Sequence, residues 1–201
     1  MRADTTSTFR PLRPTVSQVE AADRLRPARH WWQPSTKFRR LELIRLPIYV
    51  VEIHAELRAP DRPGNGAHVR LAVDALQGRV ERLDRAVAIE DTDFGVGTSV
   101  SPGLAINDAL DRVRTETPWI TLPFSLRRGR AYDSRSVRLI DRIGYPYWVQ
   151  HVWVRRFMLG GRRDFLGLDG ISGGRLGPRA RSLLVAGLIR LVHDRREDNS
   201  P

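Results

Sequence analysis

The sequence is 201 residues long, contains no cysteine and carries a formal net charge of +11. The lack of cysteine excludes disulfides, thiol nucleophiles and cysteine-ligated metals, while 41% hydrophobic residues suffice for a packed core. No segment has the apolar core of a signal peptide, and no apolar run approaches the roughly 20 residues that span a bilayer, so we expect a soluble cytoplasmic protein without a membrane span.

The positive charge is unevenly distributed along the chain. Residues 112–181 carry a net charge of about +10, whereas residues 86–111 carry about −5, and nearly all basic residues are arginine. The planar guanidinium group suits phosphates and carboxylates, which favours an anionic partner. The alternative is that these arginines simply keep the surface solvated, and charge alone does not decide between the two.

The chain repeats itself. Three pairs of segments match in the same order, namely 21–31 with 109–119, 46–50 with 145–149, and 73–78 with 168–173. Matches in a conserved order predict two copies of one unit. The predicted organisation is a flexible N-terminal segment (1–14), a first repeat (15–85), an acidic linker (86–99), a second repeat (100–177), and a C-terminal helix with its tail (178–201).

The first repeat begins with a helix signal. Ser17 with Glu20 three residues later forms a capping box, which predicts a helix over 18–26. Apolar and polar side chains then alternate within 41–57 and again within 69–73, which predicts an antiparallel hairpin with one buried face. The side chains expected inside are Tyr49, Val51, Ile53, Leu71 and Val73.

The second repeat follows the same plan. A serine and a proline at 101–102 predict the start of its helix, and its strands are expected at 147–157 and 165–168. An insertion at 118–138 has no counterpart in the first repeat, and a final helix is expected over roughly 178–193. The predicted class is therefore α+β, with two repeated helix-plus-antiparallel-hairpin units and a C-terminal helix.

Two short patterns resemble the PepSY-type domain. The first is a strand opening Leu-Pro-Ile-Tyr-Val-Val after a helix, and the second is the strand end and turn Val-Asp-Ala-Leu-Gln-Gly-Arg-Val at 73–80. Residues 168–176 fit the same turn with one extra glycine. The resemblance implies two tandem PepSY-like domains with a cystatin-like helix on a sheet. It also implies a non-enzymatic binding or inhibitory role, although the chain lacks the export signal that often accompanies this family.

The aspartates of the two turns have an ordinary structural explanation. Asp74 and Asp169 each precede a small residue and a glycine, so their carboxylates can accept hydrogen bonds from the amides of their own turns. We expect this structural role, without a ligand.

One strand face contains a candidate catalytic or metal-binding group. Glu52, His54 and Glu56 alternate on one strand, with His68 expected across the hairpin, and such residues can bind a divalent metal or transfer protons. The alternative, which we favour, is a solvated strand face on which Glu52 pairs with Arg70. We therefore expect no catalytic residue, metal or cofactor.

The predicted binding site is the end of the second hairpin. Four arginines and a tryptophan come together there, namely Arg155, Arg156, Arg162, Arg163 and Trp153. Guanidinium groups beside an aromatic ring suit a nucleic acid or an acidic protein. The alternative is internal neutralisation by the acidic linker, which contains Glu90, Asp91 and Asp93.

The tryptophans divide into two predicted groups. Trp31 and Trp119 occupy matching positions of the repeats, and we expect both of them and Trp148 to be core residues. Trp32 and Trp153 remain open as surface residues.

Two functions from different classes follow from these observations. The first is a non-enzymatic module that binds or assembles with a protein partner, and the second is a nucleic-acid-associated protein that uses the basic second repeat. A hydrolase acting through Glu52 and His54 is a weaker third alternative.

Overall fold

The computed structural model describes residues 9–26, 36–57, 67–83, 97–116, 132–156 and 160–198. These residues form three helices and seven strands. In chain order the elements are β1 (Arg10–Pro11), α1 (Gln18–Leu25), β2 (Thr36–Leu57), β3 (Ala67–Asp74), β4 (Val80–Arg82), β5 (Thr98–Ser99), α2 (106–116), β6 (Tyr132–Arg156), β7 (Gly160–Asp169) and α3 (Pro178–Asp198). No helix in this part of the chain is both long enough and apolar enough to cross a membrane.

The strands belong to one sheet in the order β1-β6-β2-β3-β4, in which β5 also pairs with β2 and β7 with β6. The β2–β3 pair and the β6–β7 pair are both antiparallel, whereas β5 runs parallel to β2. Helices combined with a largely antiparallel sheet confirm the α+β class.

Both predicted hairpins are present, with longer strands than expected. The first hairpin pairs Ile48 with Asp74, and the second pairs Tyr147 with Asp169. β6 begins at Tyr132, inside the segment 118–138 that was predicted to be an insertion. The expected start of this strand was wrong because β6 continues on the N-terminal side of Pro146, where a strand-entry proline had suggested its boundary.

Helix α1 begins where the capping box predicts. The Glu20 amide donates to the Ser17 hydroxyl over 3.2 Å, and the buried residues Ala21 and Leu25 lie one turn apart on the inner face. Helix α1 ends at Leu25, two residues before Pro27. A proline disfavours helical backbone at the residue that precedes it, here Arg26, which explains why the helix stops there.

Helix α2 begins at residue 106, so the predicted start at 101–102 was wrong. The Val100 amide donates to the Arg45 carbonyl over 3.0 Å, and the Leu104 amide donates to the Ala75 carbonyl over 2.8 Å. These bonds hold the backbone of residues 100–104 against the strands, and the helix begins after them.

The described residues separate into two compact units, each assembled from distant parts of the chain. Unit 1 contains β2 from Pro47, β3, β4, α2 and β6 as far as Ile143. Unit 2 contains α1, β2 as far as Leu46, β5, β6 from Gly144, β7 and α3. The predicted repeats 15–85 and 100–177 thus each contribute to both units, and their boundaries stay a prediction about the sequence.

The core of unit 1 lies between α2 and the first hairpin. Ala109 and Val113 of α2 are fully buried against the strand residues predicted to be inside, which confirms the assigned face of the hairpin. These strand residues are Tyr49, Val51, Ile53, Leu71 and Val73, each at most 4% exposed.

The core of unit 2 lies between α1 and the second hairpin. Ala21 and Leu25 pack with Leu43, Trp148 and Leu168. Helix α1 therefore covers the β6–β7 hairpin, which is more than a hundred residues away in the sequence. The β2–β3 hairpin, which follows α1 directly in the chain, is covered by α2 in unit 1.

Each aspartate turn is closed by its own carboxylate, as predicted. The Asp74 Oδ1 accepts from the Leu76 and Gly78 amides over 3.1 and 3.2 Å. The Asp169 Oδ1 accepts from the Ile171 amide over 2.8 Å. The structural role expected of both aspartates is confirmed.

The two turns have the same length, so the extra glycine predicted in the second turn was wrong. The Asp74 amide donates to the Arg79 carbonyl over 3.0 Å, and the Asp169 amide donates to the Gly174 carbonyl over 2.9 Å. In both turns the bond joins the aspartate to the residue five positions later. Gly174 therefore occupies the same turn position as Arg79 and does not lengthen the loop.

Helix α3 has 21 residues and extends beyond the expected end at 193. Its Leu184 is fully buried. A Cβ atom at Gly167 of β7 would overlap Leu176 and approach Leu184 to 3.6 Å, so the glycine is what allows close packing on this face of β7.

Candidate functional site

Polar side chains from three neighbouring strands meet on one face of unit 1. Glu52 of β2 lies opposite Arg70 of β3, and His54 lies opposite His68. Directly opposed residues of an antiparallel pair share a face, and β6 contributes Arg138 from the other side of β2. We call Glu52, His54, His68, Arg70 and Arg138 the Glu52 cluster.

Glu52 is the buried anchor of this cluster, with an exposed fraction of 7%. Arg138 donates to its Oε2 from Nε and Nη2 over 3.2 and 2.8 Å, and Arg70 Nε lies 3.5 Å from Oε1. The hydrogen bonds from Arg138 lower the pKa of the Glu52 carboxyl by more than burial raises it. The predicted pairing with Arg70 on a solvated strand face is confirmed, although Glu52 itself is buried because the arginine side chains lie over its carboxylate.

The cationic side chains around Glu52 face solvent. The side chains of Arg138, His68 and Arg70 are 68%, 58% and 54% exposed. Only Nε of Arg70 contacts Glu52, and among the described residues no acceptor takes its terminal N–H groups. The cluster also opens into a cavity of about 430 Å³, which Val69, Arg82 and Leu83 help to line.

The two histidines extend the cluster. His54 Nδ1 lies 3.3 Å from His68 Nε2, and His68 Nδ1 lies 3.5 Å from the Glu52 carboxylate. One imidazole must donate and the other accept, so the two histidines form a hydrogen-bonded pair next to Glu52. The described residues lining the cavity include no hydroxyl that this pair could activate as a nucleophile.

The cluster is chemically unsuited to a metal ion. Both carboxylate oxygens of Glu52 already face guanidinium groups, which would repel a cation. Within the described parts of the chain, no three histidine, aspartate or glutamate side chains are grouped as metal ligands. The side chain of Glu56, the remaining member of the predicted group, lies outside the described residues. The arrangement is suited to an anion.

Unit 2 has different residues at the same positions of its hairpin. In unit 1 Glu52 lies four residues after Ile48, and in unit 2 His151 lies four residues after Tyr147. Both Ile48 and Tyr147 pair with the aspartate of their turn. In register, Glu52 with Arg70 corresponds to His151 with Phe165, and His54 with His68 corresponds to Trp153 with Arg163.

Helix α3 lies over this face of unit 2. The Arg181 guanidinium is 4.6 Å from the centre of the Phe165 ring and also donates to Asp164 over 2.6 Å. His151 contacts a carboxylate as well, because its Nε2 lies 2.6 Å from Oε1 of Glu42 on β2. Phe165 is therefore covered by α3, whereas Arg163 further along the same face is exposed.

The predicted hairpin-end site lies at the far end of β6 and β7. Trp153, which is partly buried, lies opposite the exposed Arg163. The backbones of Arg155 and Arg156 lie opposite the two glycines at 160–161, so the hairpin does bring these segments together. The side chains of Arg155, Arg156 and Arg162 lie outside the described residues, as does the acidic group Glu90, Asp91 and Asp93.

Trp148 is a core residue, as predicted. It is 6% exposed, and its Nε1 donates to the Val16 carbonyl over 2.8 Å. Trp31, Trp32 and Trp119 lie outside the described residues.

Sequence reasoning missed Arg138. It lies in the segment that was predicted to be an unmatched insertion, although Val137 and Leu139 alternate there with Ser136 and Arg138, which is a strand signal. Its approach to Glu52 depends on strand order, which no local pattern specifies.

No family model, curated sequence or solved structure matches this chain significantly.

Proposed function

We propose that this chain is a non-enzymatic binding and assembly module, built from two PepSY-like repeats, that holds an acidic segment of a protein partner on the Glu52 cluster. The observation that carries the proposal is a pair of solvent-facing guanidinium groups, Arg70 and Arg138, fixed by a buried carboxylate. The steps below support first the repeats and then the binding.

Matching hydrogen bonds support the repeats. The Tyr49 hydroxyl donates to the Leu104 carbonyl over 2.9 Å, and Trp148 Nε1 donates to the Val16 carbonyl over 2.8 Å. In each case an aromatic residue of a hairpin strand reaches the residues just before a helix. Tyr49 and Trp148 also occupy equivalent positions in the matched segments 46–50 and 145–149.

The helices support the repeats in the same way. Arg112 of α2 donates to the Gln77 carbonyl over 2.9 Å, and Arg24 of α1 donates to the Gly173 carbonyl over 3.1 Å. Arg24 and Arg112 match in the first pair of repeated segments. On this interpretation each repeat's helix packs on the hairpin of the other repeat, which makes the two repeats interdependent.

The binding chemistry follows from charge and geometry. One carboxylate, Glu52, faces two guanidinium groups, those of Arg70 and Arg138. These three side chains together therefore carry a net positive charge. The terminal N–H groups of Arg70 form a fork that matches a carboxylate in a bidentate bond. A glutamate or aspartate of a partner protein is therefore the group that fits, and Glu52 acts as a positioning residue.

The hairpin end supports a second candidate function, binding of nucleic acid. Trp153 and Arg163 share a face of the β6–β7 hairpin, which offers an aromatic ring for stacking beside a cation for phosphate. Arg155, Arg156 and Arg162 are the further residues predicted for this surface.

The first test measures binding of a fluorescein-labelled glutamate-rich peptide by fluorescence anisotropy. The variant Arg70→Gln keeps the Glu52–Arg138 pair intact and should weaken binding about tenfold, the effect of losing a charge-assisted hydrogen bond. Arg179→Gln, which removes the same charge from an exposed position of α3, should change the affinity less than about twofold. Equal losses in both variants would mean general attraction and would contradict the proposal.

A labelled single-stranded DNA tests the second candidate with the same proteins. Nucleic-acid binding predicts a steep linear fall of log affinity with log salt, and a loss in Arg163→Gln that exceeds the loss in Arg70→Gln. Tight DNA binding with this pattern, together with a weak peptide response, would favour the alternative function.

A further inference from the structure

Helix α3 presents an apolar stripe to solvent. Val185, Ile189 and Val192 are 39%, 55% and 51% exposed, whereas Leu184 on the same helix is fully buried. The stripe residues follow one another at four and three positions, the spacing of the contact positions in a helix pair. Only two other large apolar side chains in the described part of the chain are comparably exposed, Val19 and Ile140, and both stand alone on other elements.

The stripe borders a shallow apolar groove. Phe165 of β7 and the α3 residues Val185, Leu188, Ile189, Val192 and His193 line a cavity of about 310 Å³ with almost no polar surface. The residues that project from the helix are also the walls of the groove. A surface of this kind is complementary to a second copy of itself, which is the requirement of a twofold-symmetric interface.

The charges near the α3 stripe favour a second copy of this chain as the molecule that covers it. A chain with a net charge of +11 repels its own copies across most of its surface. From residue 182 onward, however, three arginines are balanced by three carboxylates, and Arg190 is paired with Asp194 over 3.3 Å. Next to the groove, Arg181 is paired with Asp164 over 2.6 Å. The stripe is thus apolar and the charges from residue 182 onward are balanced, so it fits an apolar second copy better than an acidic partner.

We infer that the chain forms a symmetric homodimer in which the α3 helices of two copies pack antiparallel along this stripe. In an antiparallel pair Val185 of one copy meets Val192 of the other, and Ile189 lies next to the twofold axis. A helix of 21 residues is about 30 Å long, so the stripe from Val185 to Val192 occupies about one heptad at its middle and leaves both ends polar. The surface is distinct from the Glu52 cluster, which lies in the other unit.

The test is the mass of the full chain in solution, measured by sedimentation equilibrium over a range of concentrations. The inference predicts a mass of twice the 22.9 kDa of one chain. Since the interface is apolar, raising the salt concentration should not dissociate it. A mass of one chain throughout the concentration range would overturn the inference.

Two variants and a control locate the interface. Ile189→Glu and Val192→Glu should each give monomers, because the first places two carboxylates next to each other at the twofold axis and the second buries a carboxylate against the apolar Val185 of the other copy. Val19→Glu makes the same chemical change at an apolar residue that is 74% exposed on α1, and it should remain dimeric. Circular dichroism checks that each variant is folded. A dimer that persists in both α3 variants would place the contact elsewhere and overturn the inference.

Discussion

The two hairpins bear different chemistry at identical register positions. Glu52 and Arg70 in unit 1 form part of an open charged cluster, whereas in unit 2 Phe165 lies beneath α3 and His151 contacts Glu42. The strand pairing is the same in both, so the backbone does not decide what lies on this face. An aromatic ring in place of Arg70 gives α3 something to pack against, while a guanidinium group favours solvent or an anion.

The aspartate turns, by contrast, are alike in the two hairpins. In both turns the same backbone bond closes the loop and the aspartate carboxylate accepts hydrogen bonds from amides of its own turn. The further partners of the two carboxylates differ: the Gly78 amide donates to Asp74 Oδ1, whereas the Tyr145 hydroxyl lies 3.1 Å from Asp169 Oδ1. The Asp74 Oδ2 accepts from the Arg79 amide over 2.9 Å, whereas the Asp169 Oδ2 accepts from the Tyr145 hydroxyl over 3.0 Å. Burial and the Asp169 charge together raise the pKa of Tyr145, which keeps the hydroxyl protonated as a donor.

The largest expected effect concerns helix α3, which packs on the β7 strand of unit 2. Leu184→Ala should lower the free energy of unfolding by about 2–5 kcal/mol, because Leu184 is fully buried beside Gly167 and truncation leaves a cavity. Urea unfolding followed by tryptophan fluorescence measures this change. The exposed Val19→Ala is the control and should stay within about 0.5 kcal/mol of wild type. A loss no larger than that of the control would mean that α3 does not cover unit 2.

The next effect sharpens the comparison of the turns. Gly78 and Gly173 have φ of 72° and 69°, and a Cβ at either position would also meet an arginine side chain from a helix. Each change to alanine should cost about 1–2 kcal/mol, with similar values for the two turns. Thermal and urea unfolding of both variants check this. Gly174→Ala, where a Cβ would be 3.4 Å from its nearest neighbour, Ser172 Oγ, is the control. Markedly unequal costs would argue against equivalent turns.

Much of each hairpin could be predicted from the sequence because its signals are local. Alternation identified the buried face of β2 and β3, and the Ser17–Glu20 pair identified the start of α1. What the sequence could not reveal depends on contacts between distant segments. Nothing in residues 18–25 specifies whether their apolar face packs on the first hairpin or the second, since both offer similar apolar surfaces.

The candidate site was predictable to the same extent. The pairing of Glu52 with Arg70 follows from the strand register, but the burial of Glu52 and its contact with Arg138 require the third strand, β6. The exposure of the α3 stripe could not be predicted either, because Leu184, Leu188, Leu191 and Val192 lie at helical spacing in the sequence, and only packing shows that Leu184 is buried while Val192 is exposed.

The Glu52 cluster should make the free energy of unfolding depend on pH. Because the folded-state pKa of Glu52 is lowered, its ion pairs stabilise the protein above the ordinary carboxyl pKa, and this stabilisation is lost as the pH falls through the folded-state value. Glu52→Gln lacks this group. The stability difference between wild type and Glu52→Gln should therefore shrink by about 1 kcal/mol between about pH 6 and pH 3. Urea unfolding across this range measures it, and a difference independent of pH would show that the ion pairs add nothing.

The smallest expected effect is a stabilisation. Gln150 is 9% exposed and occupies the register position that Val51 occupies in the first hairpin, and no donor among the described residues reaches its buried Oε1. Gln150→Val should raise the free energy of unfolding by about 0.5–1 kcal/mol, because it removes an unsatisfied buried acceptor. Denaturant midpoints of the two proteins compare them directly, and a loss of stability would indicate that the amide has a partner in the native state.

The most direct measurement of the binding account is an NMR titration of the isotope-labelled full chain with the glutamate-rich peptide. The account predicts that the peptide shifts the signals of His68, Arg70 and their β2 neighbours first, and leaves Trp153 and Arg163 nearly unchanged. In Arg70→Gln these shifts should require about tenfold more peptide. Shifts concentrated at Trp153 and Arg163, or spread evenly over all exposed arginines, would contradict the assignment of the Glu52 cluster as the binding surface.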